Sequence, residues 1–154
     1  MRNYSLFQEL NDDEYNKLLT IFKTKKIDKD TILIKENENG SSAFFLLAGK
    51  VSILKETIYG EDYIVTIIDS NGEEFFGEVN LIDNGKRTST ITAVEDCEIL
   101  EVNSDDLKVF MDNNPVIGYK IMTYLAKACA KHLRKADNDV ITLFNALVEV
   151  VEND

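Results

Sequence analysis

Short apolar runs recur between Thr31 and Asn103, at 31–34, 43–47, 51–54, 63–68, 89–94 and 97–102, and they constrain this chain more than any other feature. They are rich in Ile, Val, Phe and Thr, residue types that pack well on a pleated surface. Turn signals separate them at Asn39-Gly40, Gly49, Gly60, Asn71-Gly72, Asn84-Gly85 and Glu95-Asp96. Short strands at this spacing predict an antiparallel sandwich or jelly-roll of roughly eight strands.

A helical period stands on either side of that block. Asn11 can cap a helix and Glu14, three residues on, completes a capping-box pattern, with Leu18, Leu19 and Phe22 on one face. The polar stretch 23–30 ends that helix. After Asn103, Ser104 is placed to cap a short helix through Phe110 or Met111, and Asn114-Pro115 to open a longer one. Ile117, Ile121, Leu125, Ala128 or Cys129, and His132 then form a stripe that predicts a facing partner. A second stripe runs through Val140, Leu143, Phe144, Leu147 and Val148. It has no core left to cover once the roll is full, and self-association is the economical reading. The expected fold is α+β, mainly β: an antiparallel β-roll with an N-terminal helix and C-terminal helices. The expected organisation is a domain over 1–136, including the helix from about 115, and a helical tail over 137–154.

Charge and composition remove several function classes. Hydrophobic residues make up 44% of 154, enough for one well-filled core. The net charge of −11 opposes contact with nucleic acid or anionic lipid, both of which need excess Lys and Arg. Basic residues cluster at Lys23, Lys25 and Lys26 and at Lys127, Lys131, Arg134 and Lys135, and solvated faces explain them. The N-terminus lacks the apolar core of a signal peptide and no run is long enough to span a bilayer, so a cytoplasmic protein is expected. Cys97 and Cys129 are too few for a disulfide framework and read as small core residues. One histidine, His132, cannot build a His-rich metal centre, and no nucleophile elbow, Walker loop or zinc helix motif occurs. The chain is expected not to be an enzyme, and no cofactor or metal is implied.

One stretch carries more than a hairpin needs. Phe76-Gly77-Glu78, then Leu81, then Arg87 followed by Thr88, Ser89 and Thr90, with Ala93 beyond, sets a Gly-Glu turn nine residues ahead of an arginine. It resembles the phosphate-binding cassette of the cyclic-nucleotide-binding domain family, which includes catabolite-activator-like regulators and the regulatory subunits of cyclic-AMP-dependent protein kinase. The likeness extends to the helix before the roll, to Gly49 in "FFLLAGKVSIL" and to the helices after it.

The chemistry fits the residue types. A planar guanidinium at Arg87 can give two directed hydrogen bonds to a cyclic phosphodiester. Gly77 lets the backbone approach, and a short helical turn from Glu78 would aim the N–H groups around Val79 and Asn80 at the phosphate. The resemblance implies that Glu78 accepts from the ribose 2′-hydroxyl; Thr88 or Ser89 can add a hydroxyl donor. The expected ligand-binding set is therefore Phe76, Gly77, Glu78, Val79, Asn80, Arg87, Thr88 and Ser89. One departure stands out: family members usually carry a small residue two after the Glu, where this chain has Asn80. Thr88 matches cyclic-GMP-responsive members, whereas stand-alone bacterial-type members mostly answer to cyclic AMP. Cyclic AMP is the expected ligand, with cyclic GMP open. The base is expected to lie under the helix from Pro115, with Tyr124, Ala128, Lys131, His132 or Arg134 as candidate lids.

Two simpler readings compete. Glu78 and Arg87 could pair with each other at a hairpin rim. The chain could also be a dimerising scaffold that keeps the fold without binding nucleotide. Roughly 20 acidic-rich residues follow Lys135, too few for a helix-turn-helix module, so a stand-alone member without a DNA-binding domain is expected. The expected partners are a cyclic nucleotide, a second copy of the chain and an unidentified downstream protein, with no nucleic acid and no membrane.

Overall fold

The computed structural model describes residues 4–70, 75–83 and 85–152, which fall into two units divided between Lys120 and Ile121. The first begins with helices α1 (Ser5–Gln8) and α2 (Asp12–Leu19). Among the described residues eight strands follow: β1 (Lys23–Ile27), β2 (Ile32–Ile34), β3 (Ser42–Ala48), β4 (Lys50–Glu56), β5 (Asp62–Asp69), β6 (Phe75–Phe76), β7 (Thr90–Ala93) and β8 (Cys97–Asn103). A short helix, α3 (Val79–Asp83), stands between β6 and β7, and α4 (Ser104–Asn113) and α5 (Pro115–Glu152) come last.

The strands make two antiparallel sheets, ordered β1-β8-β3-β6 and β2-β7-β4-β5. Both contribute to one buried cluster: Phe44, Leu46, Phe76, Cys97 and Ile99 from the first sheet, Ile34, Val51, Ile68, Ile91 and Ala93 from the second. This is the mainly antiparallel roll that the strand spacing predicts. The continuous run Phe44-Phe45-Leu46 has a simple cause. Successive side chains on a strand point to opposite faces, and here both faces are covered. Phe44 stacks on Phe76 in the core. Phe45 points the other way, into an aromatic layer with Tyr4, Phe7, Phe22 and Phe75.

The capping box forms as its sequence predicts. Glu14 N–H donates to Asn11 Oδ1 and Asn11 N–H to Glu14 Oε2, both at 2.9 Å. The same Glu14 carboxylate takes a 2.6 Å ion pair from Lys120, tying α2 to the first turns of α5. Both contacts hold its pKa below the ordinary 4.5, the Lys120 hydrogen bond most strongly.

Several local expectations are corrected. The polar stretch 23–30 contains β1, which pairs with β8 from Lys23↔Glu101 to Ile27↔Cys97. Its lysines make it look like a linker, yet Lys is what an edge strand carries to resist further pairing, and Lys25 meets Glu101 at 2.6 Å. The cap of α4 is Asn103, whose Oδ1 accepts from Asp105 N–H at 2.9 Å; Ser104 is the first helical residue. Asn103 wins because its amide also donates to Ser41 Oγ at 3.0 Å. Cys97 is buried, but Cys129 is only half-buried and His132 is exposed. Of the stripe expected to face a partner, Ile117 is buried within the first unit. Asn71-Gly72 and Asn84 lie outside the described residues.

The second unit is the remainder of α5. It is one uninterrupted helix through Glu152, and Val140, Leu143, Phe144, Leu147 and Val151 on it are exposed. No helix among the described residues is long and apolar enough to cross a membrane.

Candidate ligand-binding site

β6 delivers the chain to Gly77, where the backbone turns at φ +77°. That left-handed conformation favours glycine, and the space demands it as well. A Cβ at Gly77 would lie 2.9 Å from Arg87 Nη1, 3.0 Å from the Ser42 carbonyl oxygen and 3.2 Å from Ile34 Cδ1. Glu78 follows, 5% exposed, and its carbonyl accepts from Leu81 N–H at 3.1 Å as α3 begins. Past the end of α3, Gly85 N–H donates to Asp83 Oδ1 at 2.9 Å.

Arg87 arrives from the other side, held by backbone rather than by side-chain charge. Its N–H donates to Glu38 O at 2.8 Å and its carbonyl accepts from Asn37 N–H at 2.9 Å, while Asn39 and Lys86 form a β-bridge. The β2–β3 loop thus fixes the arginine's backbone. The guanidinium then reaches between two glycines: a Cβ at Gly40 would lie 2.7 Å from Nη2 and 2.8 Å from Cζ. A side chain at Gly40 would require the guanidinium to shift, and one at Gly77 would also press on the Ser42 carbonyl.

The side chain is 7% exposed, and burial pulls its pKa below the usual guanidinium range, though a guanidinium stays charged at neutral pH. The ion pairs among the described residues are Lys25–Glu101, Lys50–Glu95, Lys55–Glu36 and Lys120–Glu14, and Arg87 enters none of them. The hairpin-rim pair between Glu78 and Arg87 is therefore not formed. One neutral side-chain oxygen, Asn80 Oδ1, accepts from Arg87 Nη1 at 3.3 Å. Among the described residues the guanidinium meets one side-chain acceptor, a neutral one, so an anion would add charge-assisted hydrogen bonds to it.

Each expected site residue has a definite place. Gly77, Asn80 and Arg87 converge within hydrogen-bond or van der Waals distance. Glu78 is buried beside them in sequence, Val79 and Thr88 are exposed, and Ser89 is half-buried. The Phe76 ring belongs to the core, so what Phe76 offers a ligand is backbone. Gly40 and Ser42 escaped the sequence reading, which saw Asn39-Gly40 only as a turn. Nothing local marks them, because the groups they approach, Arg87 for Gly40 and Gly77 for Ser42, lie more than thirty residues away in the chain. Thr90 also has a second use: its hydroxyl accepts from Glu36 N–H at 3.0 Å, anchoring the loop that carries Asn37 and Glu38.

Known proteins are similar to this chain in sequence and in fold. Residues 24–114, more than half of the chain, match the family model of the cyclic nucleotide-binding domain. The "Cyclic AMP receptor protein" of Thermus thermophilus is 26% identical over 89% of this chain and 61% of its own length. Human "cGMP-dependent protein kinase 2" is 34% identical over 62% of this chain and 12% of that protein. The crystal structure of the Thermus thermophilus catabolite activator protein superposes with a TM-score of 0.75 at 25% identity, covering 90% of this chain and 62% of that one. The chain thus spans about three fifths of the bacterial regulator that it matches.

Proposed function

Because the chain belongs to the cyclic nucleotide-binding domain family, we propose that it is a regulatory sensor whose cassette, Phe76 to Ser89, takes the phosphate of a cyclic nucleotide. The observation that carries this reading is Arg87: a nearly buried guanidinium, close to both Gly40 and Gly77, with no carboxylate partner among the described residues. An anion with two oxygens on one centre suits its paired donors. In this reading the backbone N–H groups of Val79 and Asn80 supply further donors, Glu78 accepts from the ribose, and Thr88 and Ser89 offer hydroxyls near the base.

Cyclic AMP is the first ligand to test, supported by the name of the bacterial relative. Cyclic GMP is the second, supported by the exposed Thr88 directly after Arg87 and by the name of the kinase relative. The domain itself regulates rather than catalyses. Occupancy is transmitted through α5, and the exposed stripe at Val140, Leu143, Phe144 and Leu147 seats a second copy of the chain. A ligand that favours one arrangement of α5 shifts its population by the difference in affinity between the arrangements. An identical hydrogen-exchange pattern over residues 115–152, with and without saturating nucleotide, would remove the transmission step.

The test is isothermal titration of nucleotide-stripped protein with cyclic AMP and, in parallel, cyclic GMP. Saturable heat that disappears in Arg87→Ala is expected, and the larger affinity names the ligand. No heat with either nucleotide refutes the sensor and leaves the dimerising scaffold.

A further inference from the structure

Asn80 stands where family members usually have a small residue, and its side chain is not spare. It is 2% exposed, so its amide has no water to turn to. Its Nδ2 donates to the Gly85 carbonyl at 2.6 Å and its Oδ1 accepts from Arg87 Nη1 at 3.3 Å. The two contacts fix the amide's orientation. Flipped, it would set oxygen against the Gly85 carbonyl and an NH2 group against the guanidinium, acceptor on acceptor and donor on donor. One side chain on α3 therefore holds the segment that leads into Arg87 and, separately, the guanidinium itself.

We propose that Asn80 is a positioning residue, whose buried amide ties Arg87 and Gly85 to α3 and so sets where the guanidinium stands when an anion arrives. The ligand in this proposal rests on the cyclic nucleotide reading; the role of Asn80 in aiming Arg87 goes beyond it. Asn80 takes up only Nη1, and neutrally, which leaves the positive charge for the ligand. A carboxylate at the same position would neutralise the cation from within and repel both the Gly85 carbonyl and the phosphate. A bare methyl would leave Arg87 without a side-chain acceptor among the described residues. The departure from the family pattern is thus neither a blocked pocket nor an added ligand donor. It is an internal brace.

The test compares Asn80→Ala, Asn80→Ser and Asn80→Asp with the parent chain. Titration with cyclic AMP and cyclic GMP is combined with NMR of the Arg87 side-chain N–H groups in ligand-free protein. Folding of each variant is checked by its backbone amide spectrum, and Asn80→Ser, the smaller polar change, carries the test if Asn80→Ala does not fold. Losing one hydrogen bond to a charged group predicts binding about tenfold weaker in Asn80→Ala. Asn80→Asp is expected to lose at least about a further tenfold while keeping its fold, because an internal ion pair competes with the ligand. A merely structural role would instead make affinity follow stability across the three variants. In ligand-free protein the Arg87 Nη signals should be distinct in the parent and averaged in Asn80→Ala. Unchanged signals overturn the proposal, as does nucleotide binding in Asn80→Asp equal to that in Asn80→Ala. A parent chain that binds neither nucleotide refutes the sensor reading alone, since the ligand-free Arg87 signals still decide the role of Asn80.

Discussion

Replacing Gly40 by alanine isolates the packing around Arg87 better than any change to the arginine itself. The three atoms nearest a Cβ at Gly40 all belong to the guanidinium, with Nη2 at 2.7 Å and Cζ at 2.8 Å, and Gly40 has no positive φ to strain. Two effects then oppose each other. Overpacking a filled site costs about 1–3 kcal/mol. Removing glycine's freedom from the unfolded chain stabilises by about 0.4–1 kcal/mol. Gly40→Ala should therefore destabilise the parent protein, centrally by about 1 kcal/mol. In an Arg87→Ala background the clash is gone and only the entropic gain remains, so the same substitution should stabilise by about 0.4–1 kcal/mol. The sign reverses. Urea unfolding followed by far-ultraviolet circular dichroism on the four proteins of the cycle gives both numbers, with a coupling energy of about 1–3 kcal/mol expected. A cost that is the same in both backgrounds, within about 0.5 kcal/mol, would mean that the guanidinium does not stand between the two glycines.

Three further outcomes follow from the same geometry. Glu14→Gln keeps the capping box but removes the charge that Lys120 pairs with. Because the folded-state pKa of Glu14 is depressed below 4.5, its contribution is present above that value and lost as pH falls through the lowered one. The gap in thermal midpoint between parent and Glu14→Gln should accordingly be widest near neutrality and close in acid; a gap independent of pH would deny the pair any role. Asn103→Ala removes the cap of α4 and its bond to Ser41, and should cost about 1–2 kcal/mol in urea unfolding; a loss under about 0.3 kcal/mol would show that Ser104 caps instead. Phe144→Glu with Leu147→Glu charges the exposed stripe of α5 and should convert a dimer into a monomer by light scattering, with nucleotide affinity measured beside it. An unchanged mass would refute self-association through this stripe.

Much of the fold is legible because its causes are local. The strands follow from short runs of β-branched and aromatic residues between turn formers, a pattern that needs only neighbours to read. The same holds for the Asn11–Glu14 box and for Pro115, whose missing N–H is harmless at a helix's first position. β1 was hidden for the opposite reason. Lys23, Lys25 and Lys26 become a strand only when Glu98 and Glu101 of β8 lie alongside, and nothing in residues 23–27 encodes that pairing. The split between Phe44 and Phe45, one into the roll and one outward, likewise depends on what covers each face.

The sequence by itself determined a mainly β roll flanked by helices, and a Gly-Glu turn followed by an arginine at cassette spacing, because strand period, turn chemistry and helix caps act over a few residues. Only the folded chain shows that Arg87 is buried with no carboxylate partner among the described residues, that Gly40 makes room for it from a distant loop, and that Asn80 points its oxygen at the guanidinium. Those are statements about which unlike parts of the chain meet. Burial, desolvation and hydrogen-bond satisfaction are settled only there.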